Sequence, residues 1–510
     1  MNILDNDAGR PIPASIVGYG GAVPWREGGI PPLRAFKPVA HRQRQPLRLA
    51  SIEEAIGRSA LADGMRISFH HHLRMGDLVV ALVIDSLTRM GFKNLTLCVS
   101  SIMGPACGAV LEAVKAGVIT SIETTGMKEP LAQAVIDGVV PYPVIFRSHG
   151  GRARVIEEGQ IVIDVAFIAA SAIDGQGNLY GTVGKNPFGS MGYAHADAAY
   201  ASCVIAITDT LLEAVDVPYS IEGSQVDWIV EVDSIGDASL MSGGSLRLSQ
   251  SPLERLIASQ TLAVLIASGA VVDGFNYQAG SGGISLLISS MLQTYMVEHS
   301  IKGGFASGGI TASLVEMAHL GLFSTLWDVQ SFDDRSVASL GTNSFHREMS
   351  ASLYANPNNI HCIAHRLDVM ILSATEVDLS FNVNSITGTN GRILGALGGA
   401  PDTAWGSKLV VVVMPTFRNR IPMIHPQVNL VCTPGQDVDV VVTERGIAVN
   451  PRRDDLIQRL TEASLPVLPI ETLMEHTFSI TGRPDYPHRG DAIRAVVEYR
   501  DGSVLDCLRV

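Results

Sequence analysis

Two glycine turns and a run of histidines are the stretches most able to do chemistry in this chain. In 271–287, Val-Val-Asp-Gly-Phe-Asn-Tyr-Gln-Ala-Gly-Ser-Gly-Gly-Ile-Ser-Leu-Leu, a short β-branched run ends at Asp273. Gly280, Ser281, Gly282 and Gly283 then form a turn, and 284–296 is apolar at helical spacing. Strand, glycine turn and helix present bare backbone N–H groups at a positively polarised helix start. That suits a phosphate, a carboxylate or the oxyanion of acyl transfer, and equally close helix–strand packing. A second turn, Gly-Ala-Leu-Gly-Gly-Ala-Pro-Asp, offers Gly398 and Gly399 with the same two readings.

His70, His71 and His72 are consecutive. On an extended chain neighbours point apart, so only His70 and His72 can converge. No cysteine or carboxylate stands at ligand spacing, so a metal site is not expected. Asn178, Asn382 and Asn384 follow predicted strands, where α/β sites collect, although Asn also caps its own turn.

The elements that position these residues alternate. Ser51 and Glu54 form a capping box ahead of a helix. Strands are expected at 65–69, 94–100, 118–123, 161–169 and 203–208, with helices at 76–90, 106–116 and 130–137. After a Gly- and Ser-rich stretch at 234–251, helices are expected at 252–268, 311–320 and 454–463. Strands follow at 326–329, 369–374, 409–414 and 438–442. Asp501-Gly502 marks a terminal hairpin, 493–499 with 503–508. The pattern predicts an α/β fold with sheets covered on both faces. Each half opens with a capped helix and later carries a strand ending near Asp and Asn, at 173–178 and 377–382. This implies a duplicated unit with a site between the copies. The expected divisions are an irregular arm, 1–49, a first domain, 50–242, and a second domain with the hairpin, 243–510.

Composition limits the function. A length of 510 residues suggests two large domains. Only 17 % of residues are charged, against about 25 % in a typical domain, which points to surface buried in an oligomer. The net charge of −13 argues against nucleic acid. Arg34, Lys37, Arg42, Arg44 and Arg48 form a basic strip suited either to an acidic partner or to solvent. Six cysteines without a CxxC pair read as reduced core residues. With no signal peptide and no apolar run near the ~18 residues of a membrane helix, a soluble cytoplasmic protein is expected.

Four segments, taken together, resemble the coenzyme A transferases. They are Ser68-Phe69-His70-His71 with Gly76-Asp77; Ser148-His149-Gly150-Gly151-Arg152; Asp328-Val329-Gln330-Ser331-Phe332-Asp333; and Phe381-Asn382-Val383-Asn384. Gly446-Ile447-Ala448-Val449-Asn450-Pro451 adds to them. The likeness covers about 50–475 and, within the superfamily, is greatest to the α subunits of citrate lyase.

The resemblance implies two similar CoA-transferase-like (NagB/RpiA-like) open-sheet domains. It implies acyl exchange on a carrier-protein thioester: citrate enters, acetate leaves, and citryl thioester passes to a lyase subunit. The expected partners are citrate, acetate, an acyl carrier (γ) subunit and a lyase (β) subunit, in a homo-oligomer within a hetero-oligomer. No cofactor is expected on this chain; the coenzyme A-derived group belongs to the carrier, and free coenzyme A esters can substitute.

In the covalent branch of the superfamily a glutamate attacks the thioester, and its place falls at Gln330. An amide is a poor nucleophile, so direct attack in a ternary complex is expected, with Gln330 as a donor. Gly282 and Gly283 are the first choice for the oxyanion, with Gly398 and Gly399 second. Citrate's carboxylates call for Arg74 and Arg152, beside His70, His71, His72 and His149. Ser281, Asn382 and Asn384 complete the expected substrate contacts, and Asn186 is placed on the carrier arm's path. Two competitors remain: a coenzyme A transferase using a covalent glutamate, for which Glu376 is best placed, and a non-catalytic anion-binding scaffold.

Overall fold

Runs such as Val-Val-Val-Val at 410–413 are too uniformly apolar for a sheet with one wet face, and in the fold they are interior strands. The computed structural model of the protein describes residues 2–29, 45–242, 249–280, 282–486 and 489–510. It contains a ten-stranded and an eight-stranded sheet, with helices packed on both. Strands Leu47–Leu49, Arg66–Phe69, Leu95–Val99, Ile119–Thr124, Val144–Arg147, Val165–Ala170, Cys203–Thr208 and Trp228–Glu231 form the parallel body of the first sheet. The second is built on Tyr277–Ala279, Gly303–Ile310, Phe323–Ser331, His346–Glu348, Val369–Ser373, Leu409–Val413 and Val440–Thr443, again parallel. Each body carries one antiparallel edge strand, Val504–Arg509 in the first and Gly446–Val449 in the second.

The duplication is visible in hydrogen bonds. The Asp164 carboxylate accepts from the Arg66 N–H at 2.7 Å, as Asp368 does from Asn276 at 2.7 Å. Asp227 takes the Val204 N–H and Asp439 the Val410 N–H, both at 2.8 Å. Asn178 is clasped by Asp174 and accepts from the Gly223 N–H at 2.9 Å; Asn382 is clasped by Asp378 and accepts from Gly435 at 2.9 Å. These are the same turn-fixing Asx bonds in each half.

Several expectations are corrected. The β-branched run at 271–273 is a turn, and the strand before the glycines is Tyr277–Ala279. The terminal hairpin, expected with the second domain, belongs to the first sheet. Its strand Ile493–Glu498 pairs in parallel with Val144–Arg147, where a free edge was available. Arg147 pairs with Glu498 across that seam at 3.0 Å, and with Glu123. The arm is not irregular throughout: 3–21 form two small hairpins, and Ile12 and Ile16 pack on Val496 and Val504. Of the basic strip, Arg48 pairs with Glu231, and the other four members lie outside the described residues. Strand Gly303–Ile310 is unpredictable from propensity because neighbouring side chains leave it no room for bulk. A Cβ on Gly303 would stand 2.3 Å from the Phe323 ring.

Candidate functional site

The parallel strands of the first sheet deliver four loops to one edge, and the histidine run is the innermost. Strand Arg66–Phe69 ends there, and alternation then splits the run. His70 and His72 fall on one side with ring centroids 5.6 Å apart, His72 continuing onto Phe188 at 5.2 Å. His71 falls on the other, against Tyr193 at 4.9 Å, its Nδ1 2.6 Å from Ser100 Oγ. Tyr193 also stacks on His149 at 4.3 Å.

Electrostatics separates the two sides. Asp197 is fully buried and lies 3.0 Å from His70 Nε2, while both Arg152 amino groups reach it at 2.7 Å. Burial alone would raise the Asp197 carboxyl, but Arg152 and His70 hold it well below the carboxylate range. Arg152, expected to clamp citrate, therefore has its fork occupied. Burial, and then the neighbouring rings, push His71 and His72 far below the ordinary imidazole value. Burial and Arg152 push His149 down to about 3. These rings are neutral at physiological pH and offer stacking and hydrogen bonds rather than charge.

Arg74 differs. It sits at a positive φ of 51°, with its guanidinium 4.6 Å over the Phe332 ring. It has no acidic partner among the described residues, and its buried Nη1 lacks a hydrogen-bond partner. A guanidinium without an acidic partner, held at a positive φ, has the charge and free donors that suit an anion.

Gln330 comes from the other half. Its Nε2 donates to the His71 carbonyl at 3.0 Å, so the end of strand Phe323–Ser331 is tied to the histidine run. The register explains its aim. Gly308 pairs with Asp328, but Gly309 pairs with Gln330, leaving Val329 as the extra residue of a bulge. Bulges re-aim the side chain that follows them. Gly308 permits this one at φ 98°, where a Cβ would meet the Gln278 amide at 2.7 Å.

The turn at 398–399 joins the same cluster. The Gly398 carbonyl accepts from the His149 N–H at 3.0 Å, and a Cβ on Gly399 would lie 2.6 Å from the Tyr354 hydroxyl. Asp402 accepts from Ser148 Oγ at 2.8 Å and the Gly150 N–H at 3.0 Å, pinning the two motifs together. Gln278 donates to the Tyr354 hydroxyl at 2.8 Å. Strand Tyr277–Ala279, which leads to Gly280, is one strand removed from Phe323–Ser331, hence on the order of 10 Å away. Gly282 is exposed and caps helix Gly283–Glu298, and the nearest atom to a Cβ there is 3.7 Å away, so packing does not require glycine. Ser281 lies outside the described residues.

Asn382 and Asn384 are not gathered into this cluster. Asn382 is spent in its Asp378 turn, and Asn384 donates to Glu376 at 2.9 Å and accepts from the Ile386 and Thr387 N–H groups. Asn186 is held by Asp209 at 2.8 Å. Glu376 faces a different cavity, shared with His425 and Tyr486. Among the described residues no group of three or more His, Cys, Asp or Glu side chains gathers to hold a metal, and no helix is long and apolar enough to cross a membrane. Sequence reasoning missed Tyr193, Tyr354, Ser100, Asp197 and Asp402.

Residues 47–510 match the family model described as citrate lyase, alpha subunit. The citrate lyase alpha chain of Escherichia coli K12 is 45 % identical over 468 residues, covering 92 % of this chain and 91 % of that one. The alpha chain from Haemophilus influenzae is 44 % identical over 456 residues, covering 89 % and 91 %. A crystal structure from Streptococcus mutans, assigned as the alpha subunit of citrate lyase in complex with citrate, superposes with a TM-score of 0.92 at 42 % identity and covers 99 % of each chain. A Pseudomonas malonate decarboxylase hetero-tetramer shares the fold alone, with a TM-score of 0.62 at 18 % identity over 85 % of this chain and 86 % of that one.

Proposed function

Because this chain belongs to the citrate lyase alpha-subunit family, we propose that it exchanges the acyl group of a carrier thioester, converting acetyl-carrier and citrate to citryl-carrier and acetate. A citrate carboxylate oxygen attacks the acetyl carbonyl, the C–S bond breaks, and a mixed anhydride and a thiolate form. The thiolate then attacks the citryl carbonyl of the anhydride, and the bond to acetate breaks. Both steps build negative charge on a carbonyl oxygen, and one well-placed donor there is worth about 3 kcal/mol.

The observation that carries this reading is Gln330. A neutral amide stands at the bulged strand end, at the position the resemblance implies for the covalent branch's glutamate, and it is bound to the opposite half through His71. It supports attack by citrate itself rather than by the protein. Arg74 is the proposed carboxylate receptor, with neutral His71 and His149 beside it. The Tyr193 hydroxyl makes no hydrogen bond among the described residues, and burial keeps the phenol protonated. It joins Gln330 as a proposed donor. The turn at Gly398 and Gly399 is favoured over Gly282 and Gly283 for the oxyanion, because its contacts run into the histidine–tyrosine cluster.

The proposed partners are the acyl carrier and lyase subunits, with free coenzyme A esters as substitutes, in the cytoplasm. Self-association is proposed from the low charge content. The test is acetate release on mixing the protein with acetyl-carrier and citrate. Acetate and citryl-carrier are expected in equal amounts; no acetate from correctly charged carrier overturns the proposal in favour of a binding scaffold. Borohydride added after acetyl-carrier alone is expected to trap no covalent glutamate.

A further inference from the structure

The cavity that Glu376 faces lies outside the site above, and no step of the proposed reaction uses it. It encloses about 290 Å³ beneath the loop 425–429, with Glu376, Thr389, His425, Asn429, Tyr486 and Arg489 on its walls. Glu376 is 2 % exposed. Its Oε2 accepts from Asn384 at 2.9 Å, but its Oε1 has no hydrogen-bond partner. His425 Nε2 is the nearest cationic candidate at 3.5 Å, too far for a hydrogen bond. Burial lowers the affinity of that imidazole for a proton, and its Nδ1 is engaged with the Tyr486 hydroxyl at 2.9 Å. A buried carboxylate oxygen without a donor is costly to leave bare.

The opposite charge is on the same walls. Arg489 makes its hydrogen bonds through one nitrogen, Nη2, to the carbonyls of Val428 and Asn429, and has no acidic partner among the described residues. Among the described residues, one small cavity thus holds a carboxylate oxygen without a donor and a guanidinium without an acidic partner. Both lie on the walls of one cavity of about 290 Å³, so a guest completing both must be small and carry a cationic donor and a carboxylate.

We infer that this cavity is a binding site for a small zwitterion of the α-amino acid class, its ammonium on Glu376 Oε1 and its carboxylate on Arg489. A volume of about 290 Å³ admits a single amino acid, and a second, largely apolar cavity along Leu394, Ile421 and Met423 shares Thr389 with it.

The test is calorimetric titration of the full-length protein with L-leucine, L-lysine and L-glutamate, beside propionate and ethylamine as the separate halves of a zwitterion. At least one amino acid is expected to bind saturably at one site per chain, with propionate and ethylamine at least about tenfold weaker. Glu376→Gln and Arg489→Gln, each checked for native unfolding behaviour, are expected to weaken that binding about tenfold or more, and Arg489→Lys to weaken it less. Gln330→Glu is expected to leave it unchanged. No saturable heat from any of the three amino acids, equal binding of propionate or ethylamine, or undiminished binding in both charge-removing variants would overturn the inference.

Discussion

Replacing Gln330 with glutamate changes one NH₂ group to an oxygen at a position where the structure fixes the consequence. Gln330 is 3 % exposed, and its Nε2 donates to the His71 carbonyl at 3.0 Å. In Gln330→Glu two acceptors face each other at that distance. The lost hydrogen bond accounts for about 1 kcal/mol, and the buried carboxylate left without its donor for about 1–3 kcal/mol more. The carboxylate turns from His71, and the site loses its amide donor, so the barrier to transfer should rise by about 3 kcal/mol and the rate fall on the order of 10²-fold. Burial should also raise this carboxyl above its ordinary value of about 4.3. Once protonated it can again donate to His71. A group whose folded pKa is raised contributes stability below that pKa and loses it as pH rises through it. The variant should therefore be least stable and least active near pH 8 and recover toward the wild type as pH falls. Acetate release from acetyl-carrier with citrate, measured at half-unit steps from pH 6 to 8 beside denaturant unfolding, tests both limbs. Wild-type rates at pH 8, or faster transfer accompanied by a borohydride-trapped glutamate, would refute the role given to this amide.

Three further outcomes are expected. Tyr193→Phe keeps the stack on His71 and His149 and removes a hydroxyl without a hydrogen-bond partner, so unfolding should shift by less than about 0.5 kcal/mol. The turnover number should nevertheless fall about tenfold or more with little change in KM for citrate, as read from initial rates of acetate release. Asp197→Asn leaves Arg152 buried without its counter-charge and should destabilise the protein by about 3–5 kcal/mol in urea unfolding. His149 titrates at about 3 in the fold, below the ordinary value of about 6.5. The unfolded chain then binds the extra proton between those values, so stability is lost as pH falls through that window, at up to about 1.4 kcal/mol per pH unit. His149→Asn should remove that share of the slope between pH 6.5 and 4.5, and an unchanged slope would show that the ring is not held neutral.

Where the chain's own periodicity decides, the sequence is a sufficient guide. Alternating helices and strands follow from local patterns of apolar residues and caps, and the Asp and Asn strings at 174–178 and 378–382 betray the duplication because each Asp holds the N–H groups two and four residues on. The grouping of motifs into one family is likewise written in short strings. The site is different, because its contacts span long separations. That Arg152 is spent on Asp197 while Arg74 is free cannot be read from two arginines that each follow a strand. Asp402 pins Ser148 across 254 positions, and Gln330 reaches His71 across 259. The bulge that aims Gln330 arises between two strands, one of them too glycine-rich to announce itself, and the hairpin at 493–509 settles on the first sheet because only the assembled fold offers it a free edge. Local pattern sets which elements form; close packing between the halves sets which side chains, among the described residues, are paired and which are left without a partner.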